Sequence, residues 1–392
     1  MKIAFVERKR PDLVRAGAWL NLSDDANHWA NRGPVYRLYQ DRLRDYMALP
    51  EGCGVVPLSN GGVALEVMAR LHAKRAGRKL RWVASAYSFQ NLGRGYFADV
   101  RFVDCDAGGR LDLEAVRALD PDSFDGVIVT NPFGLYADFS AYKGFACETG
   151  KPVLMDNAPG LFREIPDLPW QAFSLHHTKP FGMGEGGLAV VPAEDEEEIY
   201  GLVNYATELT DADRPHWFQN GKLSDLSAAL LLDRLETVSD WGPRNLVQRE
   251  RVIALARDAG LVPLALPETR IPMTSMPFLS ERSLPLETVM SARHMVCAKY
   301  YLPLAPLPEV TRIYRHLVNV PCHADMELLS DGQIAEDLAL FAGLSRVRSR
   351  QPGSGDLTDL PRAPLSAESR ARPEDARAYG GYRGGGAPRP RF

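Results

Sequence analysis

The sequence predicts an α/β fold built on a mainly parallel sheet covered by helices, and three observations carry that expectation. Between residues 81 and 191 short apolar runs alternate with helical or loop segments, the rhythm of a sheet buried on both faces. A lysine, Lys179, stands in a glycine-rich loop between two such runs, Phe173–Leu175 and Leu188–Val191. Beyond about residue 245 the pattern changes to helices and Pro-rich connectors, which reads as a smaller α+β domain.

The chain of 392 residues is 45% hydrophobic and 24% charged, ordinary for a soluble globular protein and enough for a large core. A net charge of −4 argues against a nucleic-acid-binding body, which needs a concentrated basic face. The five cysteines, at 53, 105, 147, 297 and 322, include no Cys-x-x-Cys pair. They read as reduced thiols and not as a disulfide framework or zinc site. Met1–Val6 is too short for a secretory apolar region and runs at once into Glu7-Arg-Lys-Arg10. No apolar run approaches the roughly 20 residues that cross a bilayer. A cytoplasmic protein without metal, membrane or nucleic-acid partner is expected.

In chain order, apolar side chains at helical spacing predict a helix over about 35–48, entered from the loop Asn31-Arg-Gly-Pro34. A second helix is predicted over about 63–74, with Val63, Val67, Met68 and Leu71 on one stripe. Strands are predicted at Trp82–Ala84, Arg101–Val103, Val127–Thr130, Val153–Met155 and Phe173–Leu175, with helical or loop segments at Leu111–Leu119 and Phe139–Thr149. The acidic run Glu194–Glu198 reads as a solvated helix start, since acidic groups favour a first turn. A helix then runs to about Ser239, with Leu223, Leu226 and Leu230 on one stripe and Leu231, Leu235 and Val238 alongside. Leu246–Ala259, the segment Thr288–Tyr301 and a helix near Asp331–Ala342 make up the smaller domain. The expected division is 1–245, 246–345 and an Arg/Pro/Gly-rich tail, 346–392, too poor in aliphatic residues to offset ordering entropy. The tail reads as passive, with contact to an acidic partner as the other reading.

Ligands gather at the carboxyl ends of parallel strands, and three such ends carry chemistry. Lys179 closes the run that begins at Phe173; a desolvated amine loses its proton and becomes a nucleophile for Schiff-base formation. Asp156 follows Val153–Met155 directly, either as a local cap or as a cofactor ligand. Tyr87-Ser-Phe89 follows the first run. Ser59-Asn-Gly-Gly62 precedes a helix, so its backbone N–H groups and the helix dipole form an anion site or an ordinary capped turn.

Four segments occur in one order: Ser59-Asn-Gly-Gly-Val-Ala-Leu65; Asp156-Asn-Ala158; Ser174-Leu-His-His-Thr-Lys179 with Gly184-Glu-Gly-Gly187; and Asn220-Gly-Lys-Leu-Ser-Asp-Leu-Ser-Ala-Ala229. In this the chain resembles the DegT/DnrJ family of sugar aminotransferases from about Asn31 to Leu344. These are pyridoxal 5'-phosphate (PLP) enzymes of the aspartate-aminotransferase-like fold, fold type I. The resemblance implies a large domain with a mainly parallel mixed sheet and a smaller C-terminal α+β domain. It implies that Lys179 forms the internal aldimine and shuttles the proton. Asp156 would pair with the pyridinium nitrogen and keep the ring an electron sink. Gly61, Gly62 and Ser174 would hold the phosphate, and Phe89 would stack on the ring, with Tyr87 close enough in sequence to compete. Asn220 would reach the phosphate of a neighbouring subunit, which implies a homodimer with shared active sites. Lysine at 179 sets the chain apart from the related sugar dehydratases, which carry histidine there.

The activity implied is a ping-pong transfer of an amino group from glutamate or glutamine to a keto-sugar, nucleotide-linked, in nucleotide-sugar and glycan biosynthesis. Three positions depart from the family pattern: Gly62 replaces a threonine, Pro159 replaces a glutamine or histidine, and Tyr301-Leu-Pro-Leu-Ala305 lacks a histidine associated with substrate contact. They leave two alternatives: a different carbonyl substrate such as a keto-cyclitol, or a non-catalytic PLP-fold binding or regulatory protein. The roles of His176 and His177 stay open between pocket lining and structural hydrogen bonding.

Overall fold

In the computed structural model the residues described are 2–205, 210, 211 and 214–343, within a unit spanning Met1–Ser345. The tail expected from residue 346 lies outside the described residues. The apolar runs form strands β1 (Cys53–Leu58), β2 (Trp82–Ser85), β3 (Arg101–Val103), β4 (Gly126–Thr130), β5 (Val153–Asp156), β6 (Gln171–Ser174) and β7 (Gly187–Pro192). Among the described residues they make one sheet in the order β1-β7-β6-β5-β4-β2-β3. Pairs from β3 through β6 are parallel, whereas β7 runs antiparallel to both β6 and β1. The mainly parallel sheet is as expected. The two antiparallel pairs at one side arise because the lysine loop returns the chain directly alongside β6.

Helices α1 (Leu13–Asp25), α2 (Pro34–Tyr46), α3 (Gly61–Ala76), α4 (Leu113–Arg117), α5 (Ser140–Thr149), α6 (Glu196–Leu202) and α7 (Asp225–Glu236) accompany this sheet. Val127, Ile128, Val129, Leu154, Met155, Leu188, Ala189, Val190 and Val191 are fully buried, as strands covered on both faces require. Each large aliphatic side chain removed from water this way contributes roughly 1.5–3 kcal/mol. Helix α3 buries Val63, Val67, Met68 and Leu71, the stripe read from the sequence. Its N-cap Asn60 accepts the Val63 N–H at 2.9 Å, and Gly77, in the left-handed region at φ 66°, ends it.

Helix α8 (Val238–Asp258) leads to the antiparallel strands β8 (Val262–Pro263), β9 (Ser275–Leu279) and β10 (Leu317–Pro321), ordered β10-β9-β8. Helices α9 (Leu286–Met290), α10 (Pro308–His316) and α11 (Asp331–Ala342) accompany them. Helix α11 starts on a capping box between Ser330 and Gln333.

Several expectations are corrected. Helix α1 was not read from the sequence: its Leu13 and Val14 face solvent while Ala16 and Ser23 are buried, so no apolar stripe marks it. Helix α8 begins at Val238, not Leu246, and runs through Pro243. Proline reads as a breaker, but Trp241 anchors this turn, its indole N–H donating to Arg234 O at 3.0 Å and its ring lying 3.5 Å from the Arg234 guanidinium carbon. Residue 245, where the two domains are expected to meet, lies within this helix, which continues from one into the other. The segment Thr288–Tyr301 contributes only the end of α9 and then irregular chain. Leu226 faces solvent, and the buried face of α7 is instead Ala228, Leu231, Leu232 and Leu235. The acidic run does begin α6, yet it is not simply solvated: Glu196 pairs with Arg44, Glu198 with Lys74, Asp195 with Arg75 and the exposed Glu197 with Arg32.

Candidate active site

The ends of β5 and β6, the turn leading to β7 and the start of α3 converge. The glycine-rich turn is closed by backbone bonds: Leu175 N to Gly186 O at 2.8 Å, His177 N to Gly184 O at 2.7 Å, Lys179 N to His176 O at 2.8 Å and Gly182 N to Lys179 O at 2.9 Å. Glycine is required at 182, because a Cβ there would lie 1.9 Å from His176 O. The start of α3 presses on the same strand end. A Cβ on Gly61 would approach Phe173 O to 3.0 Å and Ser174 Cα to 3.1 Å, and one on Gly187 would lie 2.2 Å from Asn60 C. Backbone contact this close sets the start of α3 against Ser174, whose hydroxyl accepts the His176 N–H at 3.4 Å.

Asp156, the last residue of β5, is 5% exposed, and its Oδ1 accepts the Ala158 N–H at 2.9 Å. Burial raises its pKa, while that N–H and the charge of Lys179 lower it. Burial lowers the pKa of Lys179 and the charge of Asp156 opposes this. An amine of reduced basicity thus sits near a buried carboxylate, the combination that Schiff-base chemistry needs.

A buried polar ladder holds the β4–β6 ends in register. Asn131 Nδ2 donates to Asn157 Oδ1 at 3.0 Å, Asn157 Nδ2 to Gln171 Oε1 at 2.7 Å, and Gln171 Nε2 to Pro166 O and Leu168 O, both at 2.7 Å. Sequence reasoning missed Asn131 and Gln171, although Asn and Gln at consecutive strand ends were a signal. Next to this ladder the rings of Phe133 and Tyr301 stack at 5.1 Å and 19°, and Asp156 raises the pKa of the buried Tyr301 phenol, after burial itself.

The remaining expected residues are placed as follows. Phe89 is 47% exposed at the rim, with its ring 6.5 Å from that of Tyr301. Tyr87 is fully buried, donates its hydroxyl to Tyr300 O at 2.9 Å, and meets Phe133 and Tyr301 edge-on. Tyr87 therefore has no exposed ring face, whereas Phe89 is about half exposed. Asn220 is exposed, adjacent to Gly221, whose carbonyl accepts the Ser59 N–H at 2.8 Å at the approach to α3. His176 and His177 bond one another at 3.3 Å, and His176 Nδ1 also bonds Thr178 Oγ1 at 2.9 Å, so both are tied up within the turn.

These features define the class: an α/β protein with a lysine-bearing turn, a buried carboxylate on the next strand and a helix N-terminus at one sheet edge. The sequence model of the DegT/DnrJ/EryC1/StrS aminotransferase family matches residues 20–336, and the chain belongs to that family of PLP-dependent aminotransferases. It is 30% identical over 287 residues to Protein Rv3402c of Mycobacterium tuberculosis, a match spanning 66% of each chain, just under two thirds of that relative's length. Among solved structures it resembles Helicobacter pylori PseC, an aminotransferase involved in the biosynthesis of pseudoaminic acid (TM-score 0.72, 15% identity, 88% of this chain and 100% of that one). It also resembles 3-amino-5-hydroxybenzoic acid synthase (TM-score 0.69, 18% identity, 86% and 97%). At these identities the two structures speak for the fold.

The residues fit PLP. The start of α3, packed by glycine directly against the end of β6, can offer its N-terminal N–H groups to a phosphate, the buried carboxylate can take a ring nitrogen, and the amine of lowered basicity can take the aldehyde carbon.

Proposed function

We propose that this chain is a PLP-dependent aminotransferase that moves an amino group from glutamate or glutamine to a keto-sugar, nucleotide-linked, with Lys179 as its catalytic residue. The observation that carries this is the pairing of Lys179 with Asp156 at neighbouring strand ends, each altering the other's ionisation. When bound, PLP supplies an electron sink that stabilises a carbanion at the carbon bearing the amine. The Gly61 and Gly62 N–H groups and the Ser174 hydroxyl would hold the phosphate, and Asp156 would hold the ring nitrogen. Lys179 Nζ would hold the cofactor's aldehyde carbon and would take up and return the proton at the reacting carbon. Phe89 covers one face of the site from the rim. The turn is closed by its own backbone bonds, so Lys179 swings from a fixed base. We further propose a homodimer in which Asn220 reaches the partner's phosphate site, a large domain over 1–245 and a small one over 246–345, and a cytoplasmic location. No helix among the described residues is long and apolar enough to cross a membrane.

The departures at Gly62, Pro159 and Tyr301-Leu-Pro-Leu-Ala305 support a second reading of the acceptor: a different carbonyl compound, such as a keto-cyclitol. A panel of keto acceptors with one donor separates the two.

The test of the main reading is the visible absorbance of purified protein with PLP, before and after glutamate or glutamine. Bleaching of a band that requires Lys179 supports it. A Lys179→Ala protein that transaminates normally would overturn it.

A further inference from the structure

We infer that Lys9 is a positioning residue for Lys179, its ammonium group holding the carbonyls of the lysine turn and fixing the base from which Lys179 projects. The inference rests on the reading of Lys179 as the cofactor lysine.

Lys9 lies on the amino-terminal segment, far in sequence from the turn, yet its Nζ donates to His177 O at 2.5 Å, to Lys179 O, and to Gly182 O at 2.8 Å. These three bonds fit into a wider pattern. Thr274 Oγ1 donates to Thr178 O at 2.7 Å, Arg234 Nε donates to Pro180 O at 2.9 Å, and Lys179 N takes His176 O. Every carbonyl from His176 to Pro180, and that of Gly182, therefore has a donor. The single ammonium of Lys9 meets three of them: it is the donor to His177 O and Gly182 O, and it shares Lys179 O with the Gly182 N–H. A lysine donates three hydrogen bonds and accepts none, so Lys9 spends its full capacity here. Bonds from a charged donor are the stronger kind.

The segment carrying Lys9 is held in place independently. Glu7 pairs with Arg234 at 2.7 Å, both side chains nearly buried, and Arg8 N donates to Asp325 Oδ2 at 2.7 Å. Asp12 caps α1 and donates its own N–H to Asp233 at 3.1 Å. The strap is thus anchored on both sides of Lys9. Glu7, His176, Lys179, Arg234 and His323 are the titratable or charged groups facing Lys9. Burial, Arg234 and Lys179 lower its pKa to about 7, opposed by Glu7. An ammonium kept there despite that cost is held by the carbonyls it serves, and its charge repels that of Lys179. Such repulsion favours the neutral, nucleophilic amine at 179.

The experiment compares wild type with Lys9→Met, Lys9→Gln and Lys9→Arg, using two readouts. The first is amide hydrogen exchange of the 175–187 segment in cofactor-free protein. The neutral variants should speed exchange at the Lys179 and Gly182 amides by about tenfold or more, with the exchange of β4 and β5 unchanged, and arginine should restore protection. The second is the pH midpoint of the visible band after PLP addition. It should move upward when the Lys9 charge is removed and return toward wild type with arginine, a response that a mere strap would not give. Unchanged exchange and an unchanged midpoint in both neutral variants would overturn the inference. If Lys9→Met fails to fold, Lys9→Gln carries both readouts. If wild type itself takes up no PLP, the reading of Lys179 fails, while the exchange measurement still decides whether Lys9 holds the turn.

Discussion

Asp156 and Lys179 oppose each other's response to burial: the carboxylate's charge offsets part of the fall that burial imposes on the amine, and the amine's charge offsets part of the rise that burial imposes on the carboxyl. The pair sits where β5 ends and where the chain leaves β6, so the two strands that deliver these groups are hydrogen-bonded neighbours. Rigid delivery from adjacent strands is what a site needing sub-ångström placement requires.

Asp156→Asn keeps the shape of the side chain and removes the charge. We expect kcat to fall by roughly 10²–10³-fold with a smaller change in KM, since the carboxylate acts on the reacting state more than on substrate binding. Steady-state kinetics with one donor and one acceptor measure the split.

Gly62 and Gly187 should respond in opposite ways. A Cβ at Gly62 meets only Asn60 Oδ1, at 3.2 Å, so Gly62→Thr fits after a small shift and adds a hydroxyl beside the phosphate site. PLP affinity should tighten by about 3–10-fold, the worth of one more hydrogen bond to an anion. Gly187→Ala places its Cβ 2.2 Å from Asn60 C and 2.4 Å from Gly61 N; it should force the α3 start away from β7 and weaken PLP binding. Equilibrium titration of PLP against the three proteins checks both.

His72 predicts an acid-sensitive stability. It packs between Trp82 and Trp170, its Nε2 is buried without a partner among the described residues, and burial lowers its pKa from 6.5 to about 4. The unfolded chain therefore takes up a proton as pH falls below 6.5, while the folded protein resists until about 4. Stability from this group is intact above 6.5 and is lost progressively down to about 4, by on the order of 3 kcal/mol. In His72→Phe that part of the decline should vanish. Denaturant midpoints at several pH values between 4 and 7 measure it.

Asp225 is buried and caps a helix other than its own. Its carboxylate accepts Val35 N at 3.0 Å, Tyr36 N at 3.2 Å and Ser23 Oγ at 2.6 Å, supplying the side-chain cap that Gly33 at the start of α2 lacks. Asp225→Ala leaves these buried donors unpaired and should cost about 3 kcal/mol, read as a lowered unfolding midpoint, with cofactor absorbance retained in the protein that stays folded.

What could be read from the chain divides along sequence distance. Lys179, Ser174 and the glycines of the turn lie within one short stretch, and the run before Asp156 names its strand, so these were legible. The start of α3 was legible for the same reason: small residues followed directly by a helical stripe. Lys9 was not, because nothing local to Glu7-Arg-Lys-Arg10 distinguishes a cation that will meet three distant carbonyls from one that will meet water. Tyr87 and Phe89 looked alike in sequence and differ only in burial, which the packing of Phe133 and Tyr301 decides. Helix α1 lacks a stripe because it covers the protein with Ala16 and Ser23, and α8 hides behind a proline that Trp241 overrides.

The antiparallel placement of β7 between β1 and β6 has a consequence for synthesis. Strand β1 is made early but lies at the sheet edge, and β7, its strand partner among the described residues, emerges from the ribosome only after β2 to β6. The connection that delivers that partner is the lysine turn. Closing the sheet and forming the turn are therefore one late, long-range step, of the slow and non-local kind. A nascent chain that ends before Pro192 has a lysine but no place to hold it.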